Sequence, residues 1–187
     1  MRYLFMTVLF GLCAAAIFGC GGSRSLQSAD VGDIPDWYNN KPQDANTFYA
    51  ASTATSQDLQ LSVDKASAGA RAEIGRMAET KVMGLQKRFD EETGIGKDAQ
   101  LLQMYTQATK LVVNTTLSGS QISKQEQYKD GEIWRAYVLM SYPVGAASAA
   151  LLAQIKKNEQ LYTRVRASQV FKELDEEVKK YEEDEKK

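Results

Sequence analysis

Hydrophobic and polar positions change rhythm several times along this chain, and each change predicts an element. From Leu4 through Gly19 polar side chains are almost absent, and one positive residue, Arg2, stands before the run. Such a run is short for a transmembrane helix, which needs ~20 apolar residues, and a polar Gly21-Gly22-Ser23-Arg24-Ser25 stretch follows it. It reads as a signal-peptide h-region over residues 1–19. Residues 20–33 show no apolar period and read as a flexible leash. Ile34-Pro35-Asp36-Trp37-Tyr38 ends that silence, with two adjacent aromatics that would be costly to leave in water, so the folded part is expected to start there.

Thr47 to Thr53 is short, aromatic and β-leaning, which predicts a strand. Thr55-Ser56-Gln57-Asp58 then has the spacing of a capping box, in which a hydroxyl accepts from an early helical N–H and Asp58 suits the positive helix start. The helix predicted over about 58–92 carries one apolar stripe: Val63, Ala66, Ala70, Ile74, Met77 or Ala78, Val82, Leu85 and Phe89. The first half of that stripe is small, so a neighbour can come close. Gly94 is placed to end the helix in the left-handed conformation. A second helix is expected from Asp98 to about Leu111, with Leu101, Leu102, Tyr105, Ala108 and Leu111 on one side.

Val112 to Leu117 and Gln121 to Tyr128 suggest one long strand, bulged at Ser118-Gly119. Lys129-Asp130-Gly131-Glu132 supplies a hairpin turn. The returning strand, Ile133 to Tyr142, puts Trp134, Ala136, Val138, Met140 and Tyr142 on one face, and Arg135 and Ser141 on the other. From Ala146 the chain reads as helix to its end. Its tail has Phe171, Leu174, Val178 and Tyr181 as a narrow stripe among paired charges, a face that either docks on its own domain or another copy, or stays solvated. The fold class is therefore α+β: a small antiparallel sheet of about three strands covered by a long helix, residues 34–145, followed by a charged C-terminal helix, 146–187.

Charge changes this picture little. The chain has 23 Lys and Arg against 24 Asp and Glu, and losing residues 1–19 removes Arg2 alone, leaving 22 against 24. That balance does not suggest nucleic acid as a partner. Histidine is absent from the whole sequence, so the commonest general base and the commonest transition-metal ligand are both missing. An enzyme here would have to work with Ser, Asp, Glu, Lys or Tyr alone, and the expectation is that there is none. No metal and no dissociable cofactor are expected.

The two cysteines are Cys13, inside the h-region, and Cys20 at its end. Ile17-Phe18-Gly19-Cys20 resembles the lipobox of bacterial lipoproteins, with an aliphatic residue at −3, a small one at −1, and a cysteine that is lipidated and becomes the mature N-terminus. Phe18 is bulkier than is usual at −2. Cleavage between Gly19 and Cys20 is preferred over an A-x-A-like cut at Ala14-Ala15-Ala16 and over an uncleaved anchor. Cys20 would then hold covalent lipid, several acyl chains giving a stable membrane anchor where one would not.

Other motifs have plainer readings. Ser62-Val63-Asp64-Lys65 has the S-x-x-K spacing of serine acylases, but lacks their companion motifs and falls near the start of an amphipathic helix, on its exposed to flanking side. Asp90-Glu91-Glu92 and Asp175-Glu176-Glu177 lack the spacing and glycine of a calcium loop and read as solvated helix surface. Gly94-x-Gly96-Lys97 is too short for a phosphate loop. Asn114-Thr115-Thr116 is a glycosylation sequon by spelling only. Trp37, Tyr38, Trp134 and Tyr137 read first as core or interface aromatics, and second as the place where a glycan would bind.

The order of features is similar to the lipoprotein-20 family of bacterial outer-membrane lipoproteins. The residues that carry the resemblance are Pro35-Asp36-Trp37-Tyr38, Phe48-Tyr49-Ala50-Ala51-Ser52, Ala66, Ala70-Arg71-Ala72-Glu73-Ile74, Met77-Ala78 and Asp130 to Met140, spanning about 34–142. Where that family often has glycine after its first Tyr-Ala, this chain has Ala51-Ser52, and the charged C-terminal helix lies outside the pattern. The resemblance implies a compact, dodecin-like helix-over-sheet layer with oligomers, in a class that includes flagellar accessory lipoproteins and envelope antigens. Gly21 after Cys20, where an aspartate would retain the protein in the inner membrane, resembles outer-membrane sorting.

Together these readings predict an outer-membrane lipoprotein, facing the periplasm or the cell surface, with a scaffolding role through contact with copies of itself or another envelope protein. The candidate contact residues are Trp37, Tyr38, Trp134, Phe171, Leu174 and Val178. The alternative is a regulatory binding module for an envelope or flagellar assembly or a peptidoglycan synthase. Residues 20–33 span at most about 50 Å when fully extended, which limits how far such a module could reach.

Overall fold

The computed structural model describes residues 34–186. The leader, the leash, Gly19 and Cys20 lie outside the described residues. The elements run α1 (Asp36–Asn39), β1 (Thr47–Ser56), α2 (Leu59–Thr93), a 3-10 turn (Ile95–Lys97), α3 (Ala99–Gly119), β2 (Gln121–Asp130), β3 (Ile133–Pro143), α4 (Val144–Lys157), α5 (Glu159–Val165) and α6 (Gln169–Asp184). The three strands form one antiparallel sheet in the order β1-β3-β2, and the fold class is α+β.

β3 is central, with both edges paired, and both its faces are covered. Ala136, Val138, Met140 and Tyr142 join the main core, while Tyr137 and Leu139, of opposite parity, are buried on the reverse face. Residues directly across in β1 follow the same alternation: Ala50 lies opposite Met140, Ser52 opposite Val138 and Ala54 opposite Ala136. α2 packs about equally on β1 and β3 over the core face. Its predicted stripe is the buried one: Ala66, Ala70, Ile74, Ala78, Val82 and Phe89 are all inside.

The start of α2 differs from the expectation in its chemistry. Asp58 is itself the N-cap and its carboxylate accepts from Leu61 N at 2.7 Å, while Ser56 Oγ accepts from Asp58 N at 3.2 Å. The cap is thus a carboxylate and not a hydroxyl. At the other end Gly94 takes φ 67° and ψ 31°, as predicted, and Asp90 closes the end by accepting from Gly96 N at 2.7 Å.

The largest departure is in residues 112–117, expected as strand and found as the last part of α3. Leu101, Tyr105, Ala108, Val112 and Thr116 recur on a helical period and are buried, and Val113 and Leu117 fill the space beside Gly75 of α2. Hydroxyls of Thr109, Thr115 and Ser118 donate to carbonyls four residues earlier, which absorbs their tendency to leave the helix. Packing against α2 overrides the β preference of Val112-Val113-Asn114-Thr115-Thr116. The strand irregularity consequently sits between Ile122 and Lys124, not at Ser118-Gly119. The hairpin forms where predicted, with Gly131 at φ 59° in a two-residue turn between Asp130 and Ile133.

The C-terminal region is three helices and not one. Asn158 accepts from Leu161 N at 3.1 Å and starts α5; Ser168 accepts from Phe171 N at 3.1 Å and starts α6. Each break lets the chain fold back, so α4 lies on α3 and α6 lies on α4. Phe171, Leu174 and Val178 are inside the domain's own core, with the Phe171 ring edge-on to Tyr162 at 5.6 Å. The domain therefore extends through α6, beyond the expected boundary at 145.

Two substitutions test this packing. A Cβ at Gly145 would come within 2.6 Å of three atoms of Tyr181, including its Cβ. Gly145→Ala is expected to cost about 1–3 kcal/mol by chemical denaturation and to lower hydrogen-exchange protection in α6 first. Thr116 Oγ1 is buried with no hydrogen-bond partner among the described residues. Thr116→Val keeps the shape without the stranded hydroxyl and should raise stability by about 1 kcal/mol, read as a higher denaturation midpoint at unchanged slope.

Candidate functional site

The side of the sheet away from α2 carries the most distinctive group of side chains. Strand alternation puts Glu126 and Tyr128 of β2 on that face, and the hairpin register sets Glu126 opposite Tyr137. α1 lies against β3 there. Pro35 begins it and is buried; the Pro35 carbonyl accepts from Tyr38 N at 2.8 Å, a single tight turn that presents two aromatic rings to the sheet.

Those rings lock onto the strands. Trp37 Nε1 donates to Glu126 Oε1 at 2.6 Å, and Tyr128 OH donates to Glu126 Oε2 at 2.5 Å. Tyr38 stands edge-on to Tyr137 at 5.0 Å, Tyr137 to Tyr128 at 6.0 Å, and Trp37 to Tyr38 at 6.4 Å. Edge-to-face pairs at these separations contribute ~0.5–1.5 kcal/mol each beyond burial. The donated hydrogen bonds, first from Tyr128 and then from Trp37, together with the Lys124 charge hold the Glu126 carboxyl below the usual glutamate range. With both oxygens accepting from neutral donors, Glu126 is a fixed anion that positions rings. It is not arranged as a proton-transfer group.

Of the candidate contact residues, the structure brings Trp37 and Tyr38 together and adds Tyr137, Glu126 and Tyr128. Trp134 is elsewhere: its parity points to the α2 side, where Lys129 Nζ lies 5.5 Å from the ring centroid. Phe171, Leu174 and Val178 are taken up inside the domain, so the stripe expected to be left over for a partner is spent within the chain. Glu126 and Tyr128 were missed. Their period-2 spacing and distance from the hairpin turn do indicate one face opposite Tyr137, but nothing local marks Trp37, 89 residues away, as the partner.

The remaining motifs have structural work. Ser62 is buried, contrary to the exposed or flanking position expected, and its Oγ donates to the Leu59 carbonyl at 2.7 Å. Glu92 accepts from Gln169 N at the start of α6, and Asp175 pairs with Lys156 and Lys179 at 2.9 and 2.8 Å. Glu177 accepts from both Lys81 Nζ and Ser148 Oγ at 2.8 Å. An open cleft of about 660 Å³ lies between the start of β1, the start of α4 and α6, and is rimmed by Glu173, Glu176 and Glu177. Among the described residues no group of three or more Cys, Asp or Glu is arranged to hold a metal ion, and no helix is long and apolar enough to cross a membrane.

No protein-family model matches this chain, and no curated protein matches it either.

The clamp has a pH signature. A carboxyl held low in the fold adds stability that is present above its unfolded pKa and is lost as pH falls through the lower, folded value. In a Trp134→Phe background, Trp37 emission should stay constant from neutral pH to about pH 5, then shift to the red below ~pH 4, under the ordinary glutamate range. Glu126→Gln should flatten that acid transition; a transition that persists unchanged in the variant would assign it to another group.

Proposed function

We propose that this chain is a lipid-anchored lipoprotein of the bacterial outer membrane, related to the lipoprotein-20 group, that serves as a non-enzymatic scaffold in the cell envelope. It acts by protein–protein contact, self-association included, on the periplasmic or the outer face. The observation that carries this reading is the lipobox-like Ile17-Phe18-Gly19-Cys20 upstream of the domain. Downstream of it, the turn from Pro35 to Tyr38 is bolted to the sheet through Glu126 and Tyr137.

That arrangement suits a tether. Tension arriving along the chain meets a buried proline, a ring stack and a charge-assisted hydrogen bond before it reaches β1. A load entering at this turn would be shared with β2 and β3, the two strands joined by the hairpin, before it reached β1. The group at Cys20 would supply membrane attachment and no chemistry on a substrate. In the acidic clusters Asp90, Glu92, Asp175 and Glu177 hold helix ends or helix pairs, which fits a structural reading.

Metabolic labelling with a palmitate analogue tests the anchor. Wild-type protein should be labelled and recovered with outer membranes, whereas Cys20→Ala should be unlabelled, retain its leader and leave that fraction. Unlabelled wild-type protein would sink the proposal.

A further inference from the structure

The two edges of the sheet are built differently. Edge strands expose a row of unpaired N–H and C=O groups and are normally guarded by charges, prolines or bulges. β2 is guarded, carrying Lys124, Glu126, Lys129 and Asp130 and an irregularity between Ile122 and Lys124. β1 has no such guard. Its ten residues, Thr47–Ser56, include no charge and no proline, and its register with β3 runs without a shift. In a chain that is 25% charged, and with no strand on its outer side among the described residues, this is an open edge.

α2 is shaped to leave that edge accessible. Gly69 sits directly above Ser52, the middle of β1, so closely that a Cβ there would lie 3.3 Å from Ser52 Cβ and collide with its hydroxyl. Beside Gly69, Ala68 and Ala72 are exposed, so the flank of α2 over the edge is low and uncharged at its centre. At the Phe48 end the overhang leaves a shallow groove of about 660 Å³ lined by Phe48, Met77 and Val144 and by the charged Glu73, Arg76 and Lys81.

We propose that a second copy of this chain pairs its own β1 with this one, antiparallel, about a two-fold axis near Ser52, making one six-stranded sheet. The inference rests on the self-association in the proposed function and names its surface. Three features select a second copy over a foreign strand. With the axis at Ser52, Ala51 of one copy faces Thr53 of the other and the residues nearest the axis lie beside their own equivalents, so a charge there would sit near its like, and a strand neutral at its centre suits such pairing. Next, α2 lies over the line between β1 and β3, so with strands ~4.8 Å apart the two α2 helices would run about 10 Å from one another, within the range of packed helices. Finally, Lys65 and Glu73 stand four residues to either side of Gly69 on the same ridge, with Glu73 also accepting from Arg76 of its own helix. Antiparallel α2 helices crossing at Gly69 place Lys65 of one copy against Glu73 of the other, twice. An isolated peptide strand would satisfy β1 and leave that flank of α2 bare.

The test uses full-length protein extracted in detergent, with sedimentation and light scattering as readouts. Wild type should associate in multiples of two. Ala51→Glu and Thr53→Lys put like charges beside the axis on the side away from α2, and each alone should weaken association at least ~100-fold, while an equimolar mixture of the two restores it. Circular dichroism checks that both variants are folded. As a second arm that keeps side chains small, Ala51→Cys and Thr53→Cys should be joined between copies by a short bis-maleimide, and Gln125→Cys on β2 should not. Strictly monomeric wild type would overturn both this pairing and the self-association it rests on. Association that ignores both charged variants and yields no link through positions 51 or 53, or a link from 51 to 125, would overturn the β1 pairing and leave a scaffold that assembles by another surface.

Discussion

Everything in this domain depends on how closely α2 lies on the sheet. Ala66, Gly69 and Ala70 let the helix backbone approach β1 and β3 near Ala50 and Ser52, and that closeness lets Ile74, Val82 and Phe89 reach full burial farther along. A larger side chain at the first turns would lift the helix and open the core beneath the later ones. The same spine carries the rest of the domain. α3 packs Leu117 and Val113 beside Gly75, the Tyr105 hydroxyl donates to the Val82 carbonyl at 3.1 Å, and α6 is met by Lys81, Arg88 and Glu92. Burial pushes the Tyr105 phenol well above its ordinary pKa, so it remains a neutral donor.

Magnitudes decide what holds the C-terminal helix. A 16-residue helix is marginal alone in water. The ion pairs that join α6 to α2 and α4 are substantially exposed, worth ~0–1 kcal/mol each, whereas burying side chains such as Phe171, Leu174 and Val178 contributes ~1.5–3 kcal/mol apiece. Apolar packing therefore supplies the docking energy, and the charges set which turn of α6 meets which turn of α2. Ser148 and Lys81 converging on Glu177 show that division, one carboxylate reading two helices at once.

The sheet joins the two functional ideas. Its reverse face holds the Trp37-Tyr38 turn through rings and a fixed carboxylate, and its edge strand β1 carries no charge, as the proposed pairing would need. The two are compatible because they use different parts of β1 and β3: the clamp engages Tyr137, and the edge is the far side of β1. A subunit tethered and paired as proposed would thus be held at one surface while it pairs at another.

Local physics was sufficient for much of this. The long stripe from Val63 to Phe89 implied α2 and its buried face, Gly94 its end, Asp130-Gly131 the hairpin, and the alternation from Trp134 to Tyr142 the core side of β3, because each rests on residues within a few positions of one another. Tertiary structure decided what depended on distant partners. Val112 to Leu117 became helix because Gly75 left room for Leu117, and the apolar stripe of α6 turned inward because Asn158 and Ser168 break the chain into three helices that fold back. Trp37 found Glu126 across 89 residues, a pairing that no local pattern encodes, since neither residue's neighbours change with the identity of the other. Patterns with a period were legible from the chain alone; choices between competing partners were made only when packing brought the candidates together.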